Sequence, residues 1–303
     1  AASAPARGAG LGLADGLGLV QGLLGLGSAE GLAAASRPWW KAAHAEAPDG
    51  GGQKCLTFMH IPKTGGTTID SLNLHQPRGQ RLFASFMART YDAIAAAKSG
   101  DPGQLFDSSH AGFGIYRQWI FRHLTQYHWF PMPQGRTCHD IHTPPGYHGK
   151  VDRYYSNGCD VFCSVREPLQ RMLATYKFDQ MGDCSAAGFE DFVASLVEGR
   201  GESVYDPVCH WVPQVEFVYG AKTRAASKHQ YCTHVLKQEN LTAGFAALMR
   251  QFGRNATLEG MPALFTSDKT CHLHVGLLSR RVKDMVYNFY REDYEAFGYP
   301  RPE

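Results

Sequence analysis

The sequence predicts one α/β domain with a central, mainly parallel sheet flanked by helices. Three observations predict it. An apolar run rich in β-forming residues reaches Met59, and a Pro/Gly turn then leads into a helical pattern. A second compact apolar run ends at Arg166 and leads into another helical pattern, and a third run does the same over residues 233–241. Strands that alternate with helices in this way form parallel sheets.

The composition limits the kinds of partner. The chain has 303 residues, of which 44% are hydrophobic, so it can bury a sizeable core. Its 30 basic and 28 acidic residues give a net charge of +2. That balance calls for neither a nucleic-acid partner nor an anionic membrane surface. Any basic binding site must therefore be local.

The N-terminal part differs in composition from the rest. Residues 1–36 are rich in Ala, Gly and Leu, and polar residues interrupt the apolar stretches. They fall short of the ~18 to 20 apolar residues that a membrane span needs. We expect residues 1–53 to be a low-complexity stem or processed segment with a linker, and residues 54–303 to be the folded domain. A membrane would enter only through an N-terminal anchor outside this chain.

The turn between the first strand and the first helix, residues 60–68, reads His-Ile-Pro-Lys-Thr-Gly-Gly-Thr-Thr. Gly65 and Gly66 let the backbone approach a ligand, and the helix start aims free N–H groups at it. Lys63 adds a positive charge. The segment therefore predicts a P-loop-like phosphate cradle. The nucleotide triphosphatase pattern is absent because the lysine precedes the glycine pair. The expected ligand is therefore an anhydride other than a nucleoside triphosphate.

These nine residues resemble the 5′-phosphosulfate loop of the membrane-bound Golgi carbohydrate sulfotransferases, of the heparan sulfate 2-O- and 6-O-sulfotransferase type. That family uses 3′-phosphoadenosine 5′-phosphosulfate (PAPS). The resemblance implies that the N–H groups of residues 64–68 hold the 5′-phosphate. It also implies that Lys63 neutralises charge on the bridging oxygen.

A second motif follows the strand that ends at Arg166. Pro168 stands where the first turn of a helix tolerates proline, so Arg166 leaves the carboxyl end of a strand, where open α/β sheets bind ligands. The stretch resembles the family's 3′-phosphate motif, which implies that Arg166 holds that phosphate. Where the family usually has serine, this chain has Ala174, with Thr175 next. Thr175 would substitute only in a rotated helix, so weaker nucleotide binding is expected.

The nucleotide-binding residues implied by the two motifs are Lys63, Thr64, Gly65, Gly66, Thr67, Thr68, Arg166 and Thr175.

A histidine is the natural base for removing a proton from a hydroxyl near neutral pH. His142 follows an apolar residue at the end of an expected short strand and precedes two prolines that force the chain out of regular structure. In the family a base histidine commonly lies some way upstream of the second motif, which favours His142. His110 and then His148 are the other candidates.

Eight cysteines allow a disulfide framework in an oxidising lumen, with free buried thiols as the alternative. No C-x-x-C pair occurs. Cys159 and Cys163 would point the same way from one strand, which suits neither a zinc site nor a mutual disulfide. Cys209–Cys232 is the pair expected first, and no metal is expected.

Several downstream segments leave two interpretations open. His210 and Trp211 belong to a segment that resembles the family's His-x-x-Pro-Gln segment, and they face a sugar or are structural. Residues 279–281 help to hold the nucleotide or open a solvated helix. Of two glycosylation sequons, Asn240 is expected to cap a helix, and Asn255 is the better acceptor. Single helical stretches are expected over residues 82–97 and 279–297.

The sequence therefore predicts a PAPS-dependent sulfotransferase acting on a carbohydrate hydroxyl in the Golgi lumen or secretory pathway. A noncatalytic glycan- or nucleotide-binding homologue is the alternative, motivated by Ala174. A nucleotide-dependent kinase is a further alternative, but it should carry a Walker-type lysine and acidic magnesium ligands. The acceptor sugar and the oligomeric state have no fixed sequence code.

Overall fold

The structure is a computed structural model that describes residues 54–77, 80–88, 129–199, 203–205, 209–227, 229–262, 264 and 270–303. The expected stem, residues 1–53, lies outside the described residues, and so does His110.

A parallel sheet of four strands, in the order β2-β1-β5-β6, forms the centre of the described chain. Its strands are β1 (Leu56–Met59), β2 (Ala84–Ser85), β5 (Asp160–Val165) and β6 (His234–Lys237). Two further strands, β3 (Trp129–Pro131) and β4 (Thr137–His139), form an antiparallel pair. The α/β fold with a central parallel sheet is therefore confirmed.

Eight described α-helices accompany the strands. They are α1 (Gly66–Leu74), α2 (Gly149–Tyr155), α3 (Pro168–Asp179), α4 (Ala186–Glu198), α5 (Gln214–Tyr219), α6 (Leu241–Gln251), α7 (Arg280–Phe289) and α8 (Arg291–Phe297). Short 3-10 turns occupy Pro133–Gly135, Asp140–His142, Pro145–Tyr147, Gln238–Asn240 and Val275–Leu277.

Local sequence explains where the two central strands end and their helices begin. All four residues of β1 are buried, and β1 passes through the predicted loop into α1. After β5, the carboxylate of Glu167 accepts the N–H groups of Leu169 and Gln170, and Pro168 occupies the first helical position of α3. Because β1 and β5 are parallel neighbours, both helix starts lie at the same edge of the sheet.

Two apolar clusters hold the helices in place. One includes sheet residues such as Phe58 and Phe162 together with Phe245 of α6. The other contains residues of α3, α4, α7 and α8, around the fully buried Trp211. Packed helices, and not loops alone, thus hold the edge of the sheet at which α1 and α3 begin.

All eight cysteines are paired, as Cys55–Cys159, Cys138–Cys209, Cys163–Cys232 and Cys184–Cys271. The expected pair Cys209–Cys232 is wrong. Cys232 precedes β6, which lies beside β5, and so meets Cys163 instead. Cys209 meets Cys138 of β4. As expected, Cys159 and Cys163 do not pair with each other.

Two expected helices differ from the structure. Residues 84–85 form strand β2, because their backbone pairs with Thr57 and Phe58 of β1. The C-terminal stretch is two helices, α7 and α8, which meet at Tyr290. None of the helices in the described ranges has the length and apolar character needed to cross a membrane.

Candidate active site

The loop between β1 and α1 has the shape of an anion cradle. Gly65 has φ +90°, and a Cβ at this position would lie 2.8 Å from Cδ2 of Leu241. Lys63 also adopts a positive φ, of 63°. Within the described residues, the N–H of Thr68 bonds the Gly65 carbonyl oxygen, and no protein acceptor takes the N–H groups of Gly65, Gly66 and Thr67. These three groups can therefore bind an anion.

The loop is tied to the neighbouring strand by Thr64. Its buried hydroxyl donates to the Ile61 carbonyl oxygen at 2.9 Å and shares a 2.9 Å hydrogen bond with the Ser164 hydroxyl on β5. The Thr64 side chain is thus structural, whereas its backbone lies within the cradle.

The His60 ring packs against the first turn of α1, at the end of the loop. Its Nδ1 lies 2.8 Å from Oδ2 of Asp70 on α1, and both side chains are buried. A Cβ on Gly66 would lie 3.0 Å from the His60 ring. The ring therefore fills the space under the first turn of α1, and the glycine at position 66 has a packing reason.

Arg166 lies at the carboxyl end of β5, next to this loop. Gln214 holds its backbone, since Oε1 accepts the Arg166 N–H at 2.8 Å and Nε2 donates to the Arg166 carbonyl oxygen at 2.9 Å. Burial lowers the pKa of the guanidinium, and nearby Glu239 and Glu167 oppose that shift. The half-buried guanidinium forms no ion pair or hydrogen bond within the described part of the chain, so it is available to a phosphate.

The hydroxyl of Thr175 is bonded within its own helix. The side chain is fully buried, and its hydroxyl donates to the Arg171 carbonyl oxygen at 3.0 Å, one helical turn back. The expectation that Thr175 replaces the family serine therefore needs correction, because this hydroxyl is already satisfied within α3. Ala174 is also buried and offers no polar group.

A buried arginine joins the loop to the segment around His210. Arg171 is 1% exposed, and its Nε donates to the Pro62 carbonyl oxygen at 2.9 Å. Its Nη2 donates to the carbonyl oxygens of His210 and Val212 at 2.9 and 3.0 Å. Burial lowers the pKa of Arg171. One guanidinium thus fixes the residue before Lys63 relative to His210.

Three histidines lie in a row beside the loop. The ring centroid of His142 is 5.5 Å from that of His60 and 4.9 Å from that of His210. His210 is buried, and its Nδ1 lies 2.9 Å from Oδ2 of Asp179. His142 itself is half-buried in the 3-10 turn after β4 rather than in a strand. The imidazoles and the cradle therefore share one site.

Lys63 reaches the same region. Its Nζ lies 3.7 Å from the ring centroid of Phe178, and that ring lies 6.2 Å from the ring of His210. The lysine, the row of histidines and the N–H groups of the loop are thus brought together.

The other base candidate within the described residues has a structural role. The Nδ1 of His148 accepts the N–H of Lys150 at the start of α2, and its ring stacks on Phe130 at 3.8 Å. Burial, followed by the charges of Lys150 and Arg153, lowers its pKa. These contacts leave His142 as the stronger candidate.

The open interpretations are resolved differently for different residues. Trp211 is fully buried against Phe192, with ring centroids 4.7 Å apart, and does not face a ligand. Ser279 caps α7, and exposed Arg280 and Arg281 pair with carboxylates, as a solvated helix start would. Asn240 occupies the helix N-cap position, but its side chain makes no capping hydrogen bond.

Sequence reasoning missed the residues that position the site. These residues are Arg171, Gln214, Asp70 and Asp179. Their partners lie between 10 positions away, for Asp70 and His60, and 109 positions away, for Arg171 and Pro62. Gln214 and Arg166 each belong to a recognised segment, but neither segment shows that the two residues bond each other. Apart from those motifs, the chain offers no local signal for such contacts.

Taken together, the cradle at the edge of a parallel sheet, the adjacent arginine and the lysine before the glycines define an α/β protein with a candidate anion-binding site. The model of the sulfotransferase family matches residues 52–300, most of the chain. The chain belongs to the sulfotransferase family, whose enzymes transfer sulfate to an acceptor. Searches of curated proteins and of solved structures found no match.

Proposed function

We propose that this protein transfers the sulfonyl group of PAPS to a hydroxyl of a carbohydrate. One observation carries the proposal: the glycine loop and Arg166 follow β1 and β5, which are adjacent parallel strands. Two anion-binding elements at one sheet edge match a nucleotide that carries a 5′-phosphosulfate and a 3′-phosphate.

The residues present fit such a nucleotide. The N–H groups of Gly65, Gly66 and Thr67 can bind one anion, and a side chain at position 65 would collide with Leu241. The guanidinium of Arg166 supports a second anion. Neither Thr175 nor Ala174 adds a hydroxyl there, so we expect phosphate binding at this end to depend on Arg166.

PAPS supplies the activated sulfonyl group. Lys63 places a cation where negative charge grows on the bridging oxygen as the bond to sulfur breaks. His142 accepts the proton of the acceptor hydroxyl while its oxygen bonds to sulfur. The products are a sulfate ester, adenosine 3′,5′-bisphosphate and one proton.

Four disulfides indicate a secreted or lumenal protein. The Golgi lumen is the compartment that we propose.

We also propose that Asn255 carries a glycan, because Asn255 and Thr257 of its sequon are both exposed. In protein from a secretory expression host, endoglycosidase treatment should lower the mass, and Asn255→Gln should abolish that change. A mass shift that persists in this variant would refute the assignment.

Calorimetric titration with adenosine 3′,5′-bisphosphate and with 5′-AMP tests the proposed nucleotide. We expect the bisphosphate to bind more tightly, and Arg166→Ala to weaken its binding by about 10- to 100-fold, the range for one charged hydrogen bond. The exposed Arg280→Ala is the control and should leave affinity unchanged. Equal affinity for both nucleotides would refute the proposal.

The second candidate, a noncatalytic homologue, is favoured by the buried Thr175 hydroxyl. It predicts glycan binding without transfer. Sulfate transfer from radiolabelled PAPS to a panel of polysaccharides decides between the two, because only the enzyme labels an acceptor.

A further inference from the structure

A histidine–carboxylate pair lies next to the proposed base. The side chains of His210 and Asp179 are only 6% and 11% exposed, and Nδ1 lies 2.9 Å from Oδ2. The carboxylate occupies Nδ1, so Nε2 is the nitrogen that remains for a second partner. The His142 ring meets the His210 ring edge-on, with centroids 4.9 Å apart.

The pair is fixed relative to the loop that carries Lys63. Arg171 donates to the carbonyl oxygens of His210 and Pro62, so the two segments share one buried donor. Asp179 is the last residue of α3, the helix that also contains Arg171. The position of His210 is therefore set by the same element that sets the loop.

The His60–Asp70 pair on the other side of His142 has a different environment. Its ring packs under Gly66, and Asp70 belongs to α1, so this pair supports the cradle. His210 has no such packing role under the loop. The two pairs can therefore be tested against each other.

We propose that the His210–Asp179 pair receives the proton that His142 takes from the acceptor hydroxyl. This inference rests on the proposed function. The acceptor oxygen bonds to sulfur as the bond from sulfur to the bridging oxygen breaks, and that electron pair stays on the phosphate. The hydroxyl proton moves to His142, then to His210, and finally to water. His210 and Asp179 act through His142 and are positioning residues.

The charges facing the pair explain why a proton would move there. Phe178 contacts both Lys63 and His210, so the lysine cation opposes a positive charge on His210. The carboxylate of Asp179 offsets an imidazolium at His210. Because the carboxylate bonds His210 directly, at 2.9 Å, the pair can hold the proton.

Histidine ring NMR on the full chain tests this coupling without an acceptor. Asp179→Asn should move the titration midpoint of the His142 ring to lower pH by about half a unit. This is the size expected for loss of a charge that is separated from His142 by the His210 ring. Asp179→Ser removes the same charge and should have the same effect, and it serves if the first variant does not fold. Asp160→Asn is the control, since it removes the carboxylate that faces His234 at 3.7 Å on β6.

A His142 titration that is identical in wild type, Asp179→Asn and Asp179→Ser would overturn the proposal. Calorimetry with adenosine 3′,5′-bisphosphate is the separate readout. Affinity kept in both variants, with the shifted titration, supports a role in proton movement. Loss of affinity in both variants without a shift would mean a purely structural pair, while failure of wild type to bind would refute the proposed function instead.

Discussion

The Nε of Arg171 donates to the carbonyl oxygen of Pro62 at 2.9 Å across 109 positions of sequence. Pro62 directly precedes Lys63, and the same guanidinium also donates to the carbonyl oxygen of His210. The relative positions of Lys63 and His210 therefore depend on one fully buried side chain.

Arg171→Met should lower the free energy of unfolding by about 3 kcal/mol, because it leaves three buried carbonyl oxygens without their donor. It should also weaken adenosine 3′,5′-bisphosphate binding, since the loop loses its support. Urea unfolding and calorimetry measure the two effects.

Arg254→Met is the matched control for this prediction. Arg254 is also buried, but it donates to a single carbonyl oxygen, that of Lys54, at 3.2 Å. We expect a loss of about 1 kcal/mol and unchanged nucleotide affinity. If both variants weakened the nucleotide equally, Arg171 would have no special link to the loop.

The loop, its glycines and the strand before Arg166 were predictable because each is encoded by neighbouring residues. The positions of Thr175 and the disulfide partners were not. Rotation of α3 decides where the Thr175 hydroxyl points, and the neighbour of β6 in the sheet decides which cysteine Cys232 meets. Both depend on tertiary packing, which periodicity within a segment does not contain.

Gly65→Ala should weaken adenosine 3′,5′-bisphosphate binding by more than about tenfold. The new methyl group would lie 2.8 Å from Leu241 at a φ of +90°, so the cradle must deform. Gly199→Ala has the same backbone problem, with φ +66°, but nothing lies within 4 Å. That control should cost about 1 to 2 kcal/mol of stability and no affinity. Equal affinities in the two variants would contradict the role of the Gly65 cradle.

Peptide mapping of the unreduced protein should recover Cys163–Cys232 as one of four cross-links. Replacing both cysteines by alanine removes a cross-link between residues 69 positions apart, for which loop entropy predicts a loss of about 4 kcal/mol. Thermal or urea unfolding of the double variant measures this loss. Recovery of a peptide that joins Cys209 to Cys232 would contradict the structure.

Glu216 gives the chain a pH-dependent stability. Burial raises the pKa of this carboxyl from 4.5 to about 7, although the Tyr147 hydroxyl, which donates to it, and the charge of Lys222 oppose the shift. Between about pH 4.5 and 7, the Glu216 carboxyl therefore keeps its proton in the folded state and has released it in the unfolded state. Stability from this group is complete below about pH 4.5 and is lost as the pH rises through about 7.

Glu216→Gln keeps an oxygen that can accept from Tyr147 but does not ionise. Above about pH 7 the variant should be more stable than wild type by up to about 3 kcal/mol, and the gain should shrink as the pH falls toward 4.5. Urea unfolding at several pH values measures the gap, with the exposed Glu259→Gln as control. A gap that does not change with pH would mean that Glu216 remains ionised in the folded protein, with the Tyr147 hydrogen bond and Lys222 outweighing its burial.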